Sequence, residues 1–569
     1  MHSAIQRLQS ILLWFSKHPV AAAGVLCLLY LALFQFRFVS TGDSWAEAFY
    51  EYVHGAVANS WQGFFYTGIA GYFNFLPKIL AYGYVWLGLP LQYIDYFFRA
   101  AVIAYTVCCL SFIAHQSNRD IIKNDYLRIA CSVLTLMTFY HISSFSFINV
   151  WYVGFVPIML ISLRSKRFSA EWQEVLYVVF AVSVCLTKPS LVLAPLVLYR
   201  TIRLKEYLLG SILIFAITLQ TALFFTSSYF HNLPVQVHVG LITKGINVLI
   251  YIGLIFLKLF RIQPYNIAFV LAGLLLVLIL AWCVKNALGY IKAALLSITL
   301  LLIAYTGIYS PDAPSVSLRT AYKTLYVDQM KLQREVLIYF FIILFICIAL
   351  QYARQILQGK KMVSSQVLTI GTLAIVALLA VAEFRTIDVH GNNLYINLDA
   401  YRPDLRTNTA TCIPIAPTPS WGVTPNGAPG YGWYYENGTY GSCDKTNYDK
   451  SIKYTSFTHQ LRSGLSLTLN NRQSAPIKSV LIPIANPQPG KGRIVVLTDQ
   501  LTGKSYSSRI MSKSSSDKLS FVAFNVAAEQ LRPQYEFTVT EPGVFVSDLS
   551  LGTFTDGSLA QYSYFLIHP

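Results

Sequence analysis

The stretch Pro19–Phe38, PVAAAGVLCLLYLALFQFRF, decides the class of this chain. It is almost wholly apolar and as long as an α-helix must be to cross the roughly 30 Å hydrocarbon layer of a bilayer. Arg7 and Lys17 precede it, and no small-residue cleavage site closes its far end, so it reads as an uncleaved anchor with the N-terminus inside. Further apolar runs follow at about 95–116, 127–144, 147–163, 173–199, 207–226, 265–284, 290–309, 335–353 and 363–384. The composition agrees: 55% of the 569 residues are hydrophobic and 12% charged, against about 25% charged in a soluble domain. A soluble multidomain enzyme is excluded on these grounds. A nucleic-acid partner is also excluded, because the basic excess has no soluble face to sit on.

The formal charge of +17 divides unevenly, +14 in residues 1–384 and +3 in 385–569. A basic excess among apolar runs is what cytoplasmic loops of a polytopic protein carry. Leu241–Phe260 is interrupted by Lys244 and Lys258 and followed by Arg261, so it either spans or lies in the interface. Taken as not spanning, it leaves 117–126, 164–172, 285–289 and 354–362 as cytoplasmic segments. Each carries Lys or Arg, and the Arg200–Lys205 cluster is then the exception, outside. A kink at Lys188-Pro189 that makes 173–199 a re-entrant hairpin returns this cluster to the inside, and 241–260 is then required to cross so that the tail stays out. Both variants place the C-terminal part outside.

Two segments on the outer side are long. Residues 39–94 are aromatic and half apolar (Trp45, Tyr52, Trp61, Phe64, Tyr72, Trp86), as suits helices at the lipid–water boundary, and 310–334 is polar with four basic residues. From residue 385 the pattern changes to short alternating runs such as SGLSLTL, IKSVLIPI, GRIVVLT, KLSFVAFNV, YEFTVT and GVFVSDLSL, separated by turns such as NPQPGKG. The expected fold class is therefore a polytopic α-helical membrane protein of about 10–12 spans (residues 1–384), followed by an extracytoplasmic all-β, sandwich-like domain (residues 385–569).

Of nine cysteines, seven fall in apolar runs, where a thiol is a small apolar residue. Cys412 and Cys443 alone lie in the tail. As a disulfide in an oxidising compartment the pair would stabilise a loop of about 30 residues by roughly 3–4 kcal/mol; in a cytosolic tail they would be two thiols. No Cys/His cluster argues for a metal, and no cofactor is expected.

Residues 1–384 hold only 13 acidic residues, and one cluster of them stands out. In STGDSWAEAFYEYVHG (residues 40–55) carboxylates recur at Asp43, Glu47 and Glu51, with His54 three residues on, so a helix would align Glu47, Glu51 and His54. Ser44 and Glu47 also fit a capping box, and Asp43 suits the positive end of a helix dipole. Cations that could hold a phosphate are Lys78, Lys188, Arg319, Lys323, Lys331 and Arg334; the bland reading of each is a solvated or snorkelling side chain. Asp95 and Arg99 stand one turn apart and read as an ion pair. Trp421, Trp433 and Tyr434 could stack on sugar rings or pack around the Cys412–Cys443 loop.

Taken together, a first span with its N-terminus inside, Gly42-Asp43-Ser44 opening a long outer loop, interfacial aromatic helices, a later basic outer loop and a C-terminal β-rich part resemble the GT-C superfamily of integral membrane glycosyltransferases. Leu186-Thr187-Lys188-Pro189-Ser190 is similar to segments inside spans of such proteins. The resemblance covers residues 1–384 by architecture. It implies a bacterial inner-membrane enzyme with a cytoplasmic N-terminus and a periplasmic or extracellular C-terminal domain. Such an enzyme transfers a sugar from a polyprenyl-phosphate carrier to a surface glycan such as O-antigen or lipopolysaccharide, with Asp43 as base and Glu47 as its substitute. Many members carry two acidic residues where this chain has Asp43 followed by Ser44, which leaves metal use and the base open. An O-antigen polymerase, a protein-glycosylating transferase, and a transporter, flippase or sensor with an external β module are the alternatives.

Overall fold

The computed structural model describes residues 14–39, 52–53, 55–57, 61–65, 71–139, 145–227, 240–262, 267–308, 332–359 and 365–384, and beyond these the twelve strands given below with the turn at 500–504. The helices are α1 (Pro19–Phe34), α2 (Phe75–Trp86), α3 (Ile94–Ser111), α4 (Asp125–Met137), α5 (Phe155–Ser162), α6 (Glu171–Cys185), α7 (Ala194–Leu204), α8 (Tyr207–Thr226), α9 (Leu241–Leu259), α10 (Ile267–Leu288), α11 (Tyr290–Ile308), α12 (Leu332–Gly359) and α13 (Ser365–Glu383). Six of them are long and apolar enough to cross a membrane: α3 with its extension to Ala114, then α8, α9, α10, α11 and α12. The chain is thus a largely helical protein of membrane type.

Local sequence accounts for several helix boundaries. Pro19 opens α1, where its missing N–H has no intrahelical partner to lose. Asn124 caps α4 by accepting from the Leu127 N–H at 3.1 Å. Glu171 and Glu174 occupy the first turn of α6, where the helix dipole favours them. α7 stops at Lys205, whose φ of 54° is left-handed, a conformation that glycine adopts more easily.

The chain divides into two compact units, one made of residues 1–39, 67–76 and 101–388, the other of 40–66, 77–100 and 389–569. In the first, α12 is the core: from Val336 to Ile348 every side chain is buried. It packs against α4, α10 and α11. α9 and α10 pack closely at Gly253 and Gly273, where a Cβ on either would meet the other helix's backbone carbonyl region at 2.6–2.7 Å.

The basic segments meet at one end of this unit. Asp120 accepts from the Ser165 N–H at 3.0 Å, Arg164 reaches Asn118 Oδ1 at 3.4 Å, and Arg167 Nε donates to Leu204 O at 2.9 Å. Arg203 and Lys292 both donate to Ser165 Oγ, and Gln351 Oε1 accepts from the Lys123 N–H. The Arg200–Lys205 cluster therefore shares an end with 117–126 and 164–172. The span expected over 173–199 is corrected: α6 and α7 are the two arms of a hairpin broken at 186–190, and the pair makes no net crossing.

The expected span over 241–260 coincides with α9, which is long and apolar enough to cross. α8 starts at the basic end, where Glu206 pairs with Arg200, and reaches the opposite end, where Gln220 bonds Leu186. α10 is entered from that opposite end: Arg261 donates to Phe384 O, and Phe384 lies edge-on to Phe34 at the end of α1. Lys292, just after α10, is back at the basic end.

Beyond residue 410 the described elements are β1 (Thr411–Ile413), β2 (Trp433–Glu436), β3 (Thr439–Ser442), β4 (Tyr454–Leu461), β5 (Ser466–Asn470), β6 (Ile477–Ala485), β7 (Arg493–Asp499), β8 (Ser505–Ile510), β9 (Leu519–Glu529), β10 (Gln534–Val539), β11 (Leu549–Phe554) and β12 (Leu566–His568). All their pairings are antiparallel, for example β6 with β9 through Val480 opposite Phe524 and β7 with β8 through Val496 opposite Ser507.

Candidate functional site

The site begins with a helix that cannot continue. Pro189 has no N–H to donate and disfavours helical geometry at Lys188 before it, so α6 ends at Cys185 and the chain reverses through Leu186–Ser190. Broken backbone at membrane depth must find partners within the protein. Here the Thr187 and Lys188 N–H groups both point to Val184 O, at 3.0 and 3.2 Å. Gln220 of α8 donates through Nε2 to Leu186 O at 3.0 Å and to Phe73 O at 2.9 Å, and its Oε1 accepts from the Phe73 N–H at 3.2 Å. Thr187 Oγ1 accepts from the Leu76 N–H at 3.0 Å. One amide and one hydroxyl thus bind residues 73–76, at the start of α2 within the first long loop, onto the hairpin tip.

Lys188 sits under this junction with 0% of its surface exposed. Its Nζ donates to Tyr72 Oη at 2.9 Å, and lies 4.9 Å from the centre of the Tyr72 ring and 5.5 Å from that of Tyr152. Aromatic faces attract a desolvated ammonium, by about 2 kcal/mol where water is excluded. Tyr152 has closely packed neighbours: Tyr105 Oη donates to Trp151 O at 3.2 Å, and at Gly154 an added Cβ would fall 2.0 Å from that same hydroxyl. The result is a cation and a phenol side by side in a region of low polarity, at the end of the helices opposite the basic one. Such a pair can neutralise a phosphate and donate to it.

The other sequence-derived site residues are placed as follows. Lys78 is also fully buried, but its ammonium donates to Gly63 O at 3.1 Å and Phe64 O at 2.9 Å, the last carbonyls of the short helix Trp61–Phe65. There it acts as a C-terminal helix cap. Arg99 is buried on α3, one turn beyond Asp95. Arg334 stands in the first turn of α12, Cys412 on β1, and Trp433 and Tyr434 on β2, where Tyr434 is opposite Cys412 in register. Asp43, Glu47, Arg319, Lys323, Lys331, Trp421 and Cys443 lie outside the described residues. The seven remaining cysteines are free thiols.

Sequence reading missed Tyr152 and Gln220, and gave no individual role to Tyr72 or Thr187. Gln220 had a visible signal: it is the one amide in the otherwise apolar α8, and a lone long polar side chain inside a membrane helix marks a partner. Comparison with known protein families, with curated proteins and with solved structures finds no match to this chain.

Proposed function

We propose that the chain is an inverting membrane glycosyltransferase of the GT-C kind, moving a sugar from a polyprenyl-phosphate carrier to an extracytoplasmic glycan. The observation that carries this reading is Lys188, a buried ammonium hydrogen-bonded to Tyr72 where the first long loop is fastened to a broken helix. A lipid-linked sugar phosphate already holds its leaving group. The enzyme has to take a proton from the acceptor hydroxyl as that oxygen attacks the anomeric carbon, and to balance charge on the departing phosphate. Lys188 and the Tyr72 hydroxyl suit the second task. Asp43, with Glu47 as substitute, is assigned the first from sequence, and Arg319, Lys323, Lys331 and Arg334 are further phosphate candidates. In this reading the basic end faces the cytoplasm of a bacterial inner membrane, and the strands beyond residue 410 form a sandwich-like domain on the other side. That domain meets the acceptor through Trp421, Trp433 and Tyr434 and is closed by a Cys412–Cys443 disulfide.

The test is incorporation of labelled sugar into surface glycan by membranes carrying the protein or its variants. Lys188→Met should lower the rate about 100- to 1,000-fold, the range for losing one preorganised donor to developing charge. Asp43→Asn should abolish incorporation. Full activity of Asp43→Asn at normal expression removes the base assignment, and full activity of Lys188→Met removes the site.

A further inference from the structure

At the basic end, away from Lys188, a cavity of about 650 Å³ opens between the end of α3, the 112–120 turn, the end of α5, the 164–169 loop and the first turns of α6. Its lining is split by chemistry. One part is polar and basic, with Arg164, Lys166, Arg167, His115, Gln116 and Gln173; the other is apolar, with Cys108, Phe112, Ile161, Leu176 and Phe180. Asp120 is the one carboxylate of the lining, and it is engaged: it accepts from the Ser165 N–H. Burial alone would raise its pKa, but that bond, the Ser165 hydroxyl and the charges of Lys292 and Lys166 bring it below the ordinary value, so it stays ionised. Three cations, Arg164, Lys166 and Arg167, against one carboxylate leave the polar part electropositive.

Arg164 is buried, with its guanidinium on Asn118 Oδ1 and over the Phe112 ring at 5.0 Å. Burial, and then the neighbouring Arg200 charge, pull its pKa down to about 10. It remains charged at neutral pH, held where a nearby anion would be favourable.

One side of the cavity mouth is bordered by exposed apolar side chains. Trp172 and Leu176 line it, and they are 63% and 58% exposed; with Val175 and Val179, both 59% exposed, they form an apolar strip along one side of α6. An exposed apolar strip next to basic residues at the end of a membrane helix is the pattern of the headgroup boundary, with Trp172 at its level.

We infer that this cavity binds one anionic phospholipid, its phosphate on Arg164, Lys166 and Arg167 and an acyl chain along Phe112, Leu176 and Phe180. The size suits a headgroup and the upper part of a chain, and basic pockets between membrane helices suit anionic headgroups. A soluble phosphate compound would use the basic part and leave the apolar part against water.

The experiment uses the full chain in nanodiscs of phosphatidylcholine with increasing brominated phosphatidylglycerol, whose bromines quench nearby indoles. The signal of Trp172 is the difference between the chain and its Trp172→Phe variant. Quenching of that signal should saturate at a low mole fraction of the anionic lipid, and brominated phosphatidylcholine should give only a weak linear effect. Lys166→Gln with Arg167→Gln should move the midpoint about 20- to 30-fold, at about fivefold for each cation near the surface. Ser169→Glu adds a negative charge at an exposed position of the lining and should shift it the same way. Unchanged midpoints in both variants, or equal quenching by both lipids, overturn the inference. Displacement of the lipid by millimolar inorganic phosphate overturns it too, in favour of a soluble anion.

Discussion

A buried ion pair, Arg200 with Glu206, closes the turn from α7 into α8, and removing that pair one partner at a time is the sharpest test of this part of the fold. Arg200 Nε lies 2.8 Å from Glu206 Oε2, Nη2 donates to Oε1 at 3.0 Å, and both side chains are almost fully buried. Arg200 also donates to Ile161 O at 2.7 Å and stands over the Phe168 ring at 5.0 Å. Glu206→Leu leaves a guanidinium buried with no opposing charge, which should destabilise the protein by about 3–5 kcal/mol. Arg200→Met alone strands the carboxylate and should do the same. The double variant removes both charges and keeps most of the volume. Ile161 O still accepts from the Arg164 N–H at 3.2 Å, so no carbonyl is orphaned, and the double variant should come within about 1 kcal/mol of the parent. The measurement is reversible unfolding by dodecyl sulfate in mixed micelles, followed by circular dichroism, for all four proteins. A double variant as unstable as the sum of the single ones would show that the pair is not coupled and that Arg200 does not meet Glu206. Single variants within 0.5 kcal/mol of the parent, roughly the scatter of surface substitutions, would refute its burial.

Other expectations concern packing and pH. Gly154→Ala should destabilise by about 1–3 kcal/mol, as overpacking does, because its Cβ would meet Tyr105 Oη at 2.0 Å and Val184 Cγ2 at 2.7 Å. Tyr105→Phe in the same chain should recover part of that in the same unfolding assay. Gly253→Ala meets the backbone oxygen of Val270 at 2.6 Å and should destabilise comparably, with no single side-chain change on α10 able to relieve it. Lys205→Gly should stabilise by up to about 1 kcal/mol, since the left-handed backbone there disfavours a side chain. His115 is held below its ordinary pKa by desolvation and by the Arg164 and Arg128 charges, and its Nδ1 accepts from the Ser117 N–H at 3.2 Å. Its folded pKa therefore lies under the unfolded value, so its contribution is present above about pH 6.5 and is lost as pH falls through and below that value. Stability measured from pH 7.5 to 5 should decline less in His115→Asn than in the parent.

Apolar runs marked nearly every helix, because hydropathy over 20 residues is a local property. The Lys188-Pro189 break was legible for the same reason, since proline acts on its immediate neighbours. What the hairpin does to the crossing count was not legible, because it depends on Arg167 meeting Leu204 and Lys292 meeting Ser165, the latter 127 residues apart. The candidate site shows the same division: Lys188 was noticed as a charge out of place, while Tyr72 reaches it across 116 residues of chain and carried no local sign. Lys78 shows the same limit of local reading. Nothing in its own neighbourhood shows that two carbonyls of the preceding short helix hold its ammonium. The alternating runs of the tail overlap β5, β6, β7, β9, β10 and β11, while β1 to β4, β8 and β12 lie outside them.

The position of α12 in the chain has a consequence for biogenesis. This helix, 28 residues or about 42 Å long, holds the buried centre of its unit over Val336–Ile348, yet the helices that pack on it come earlier in the chain. Helices α4, α10 and α11 are made before α12, so the faces that they pack on it lack their partner until it follows. A chain halted just before residue 332 should be cleared by the cell, while one halted after residue 384 persists.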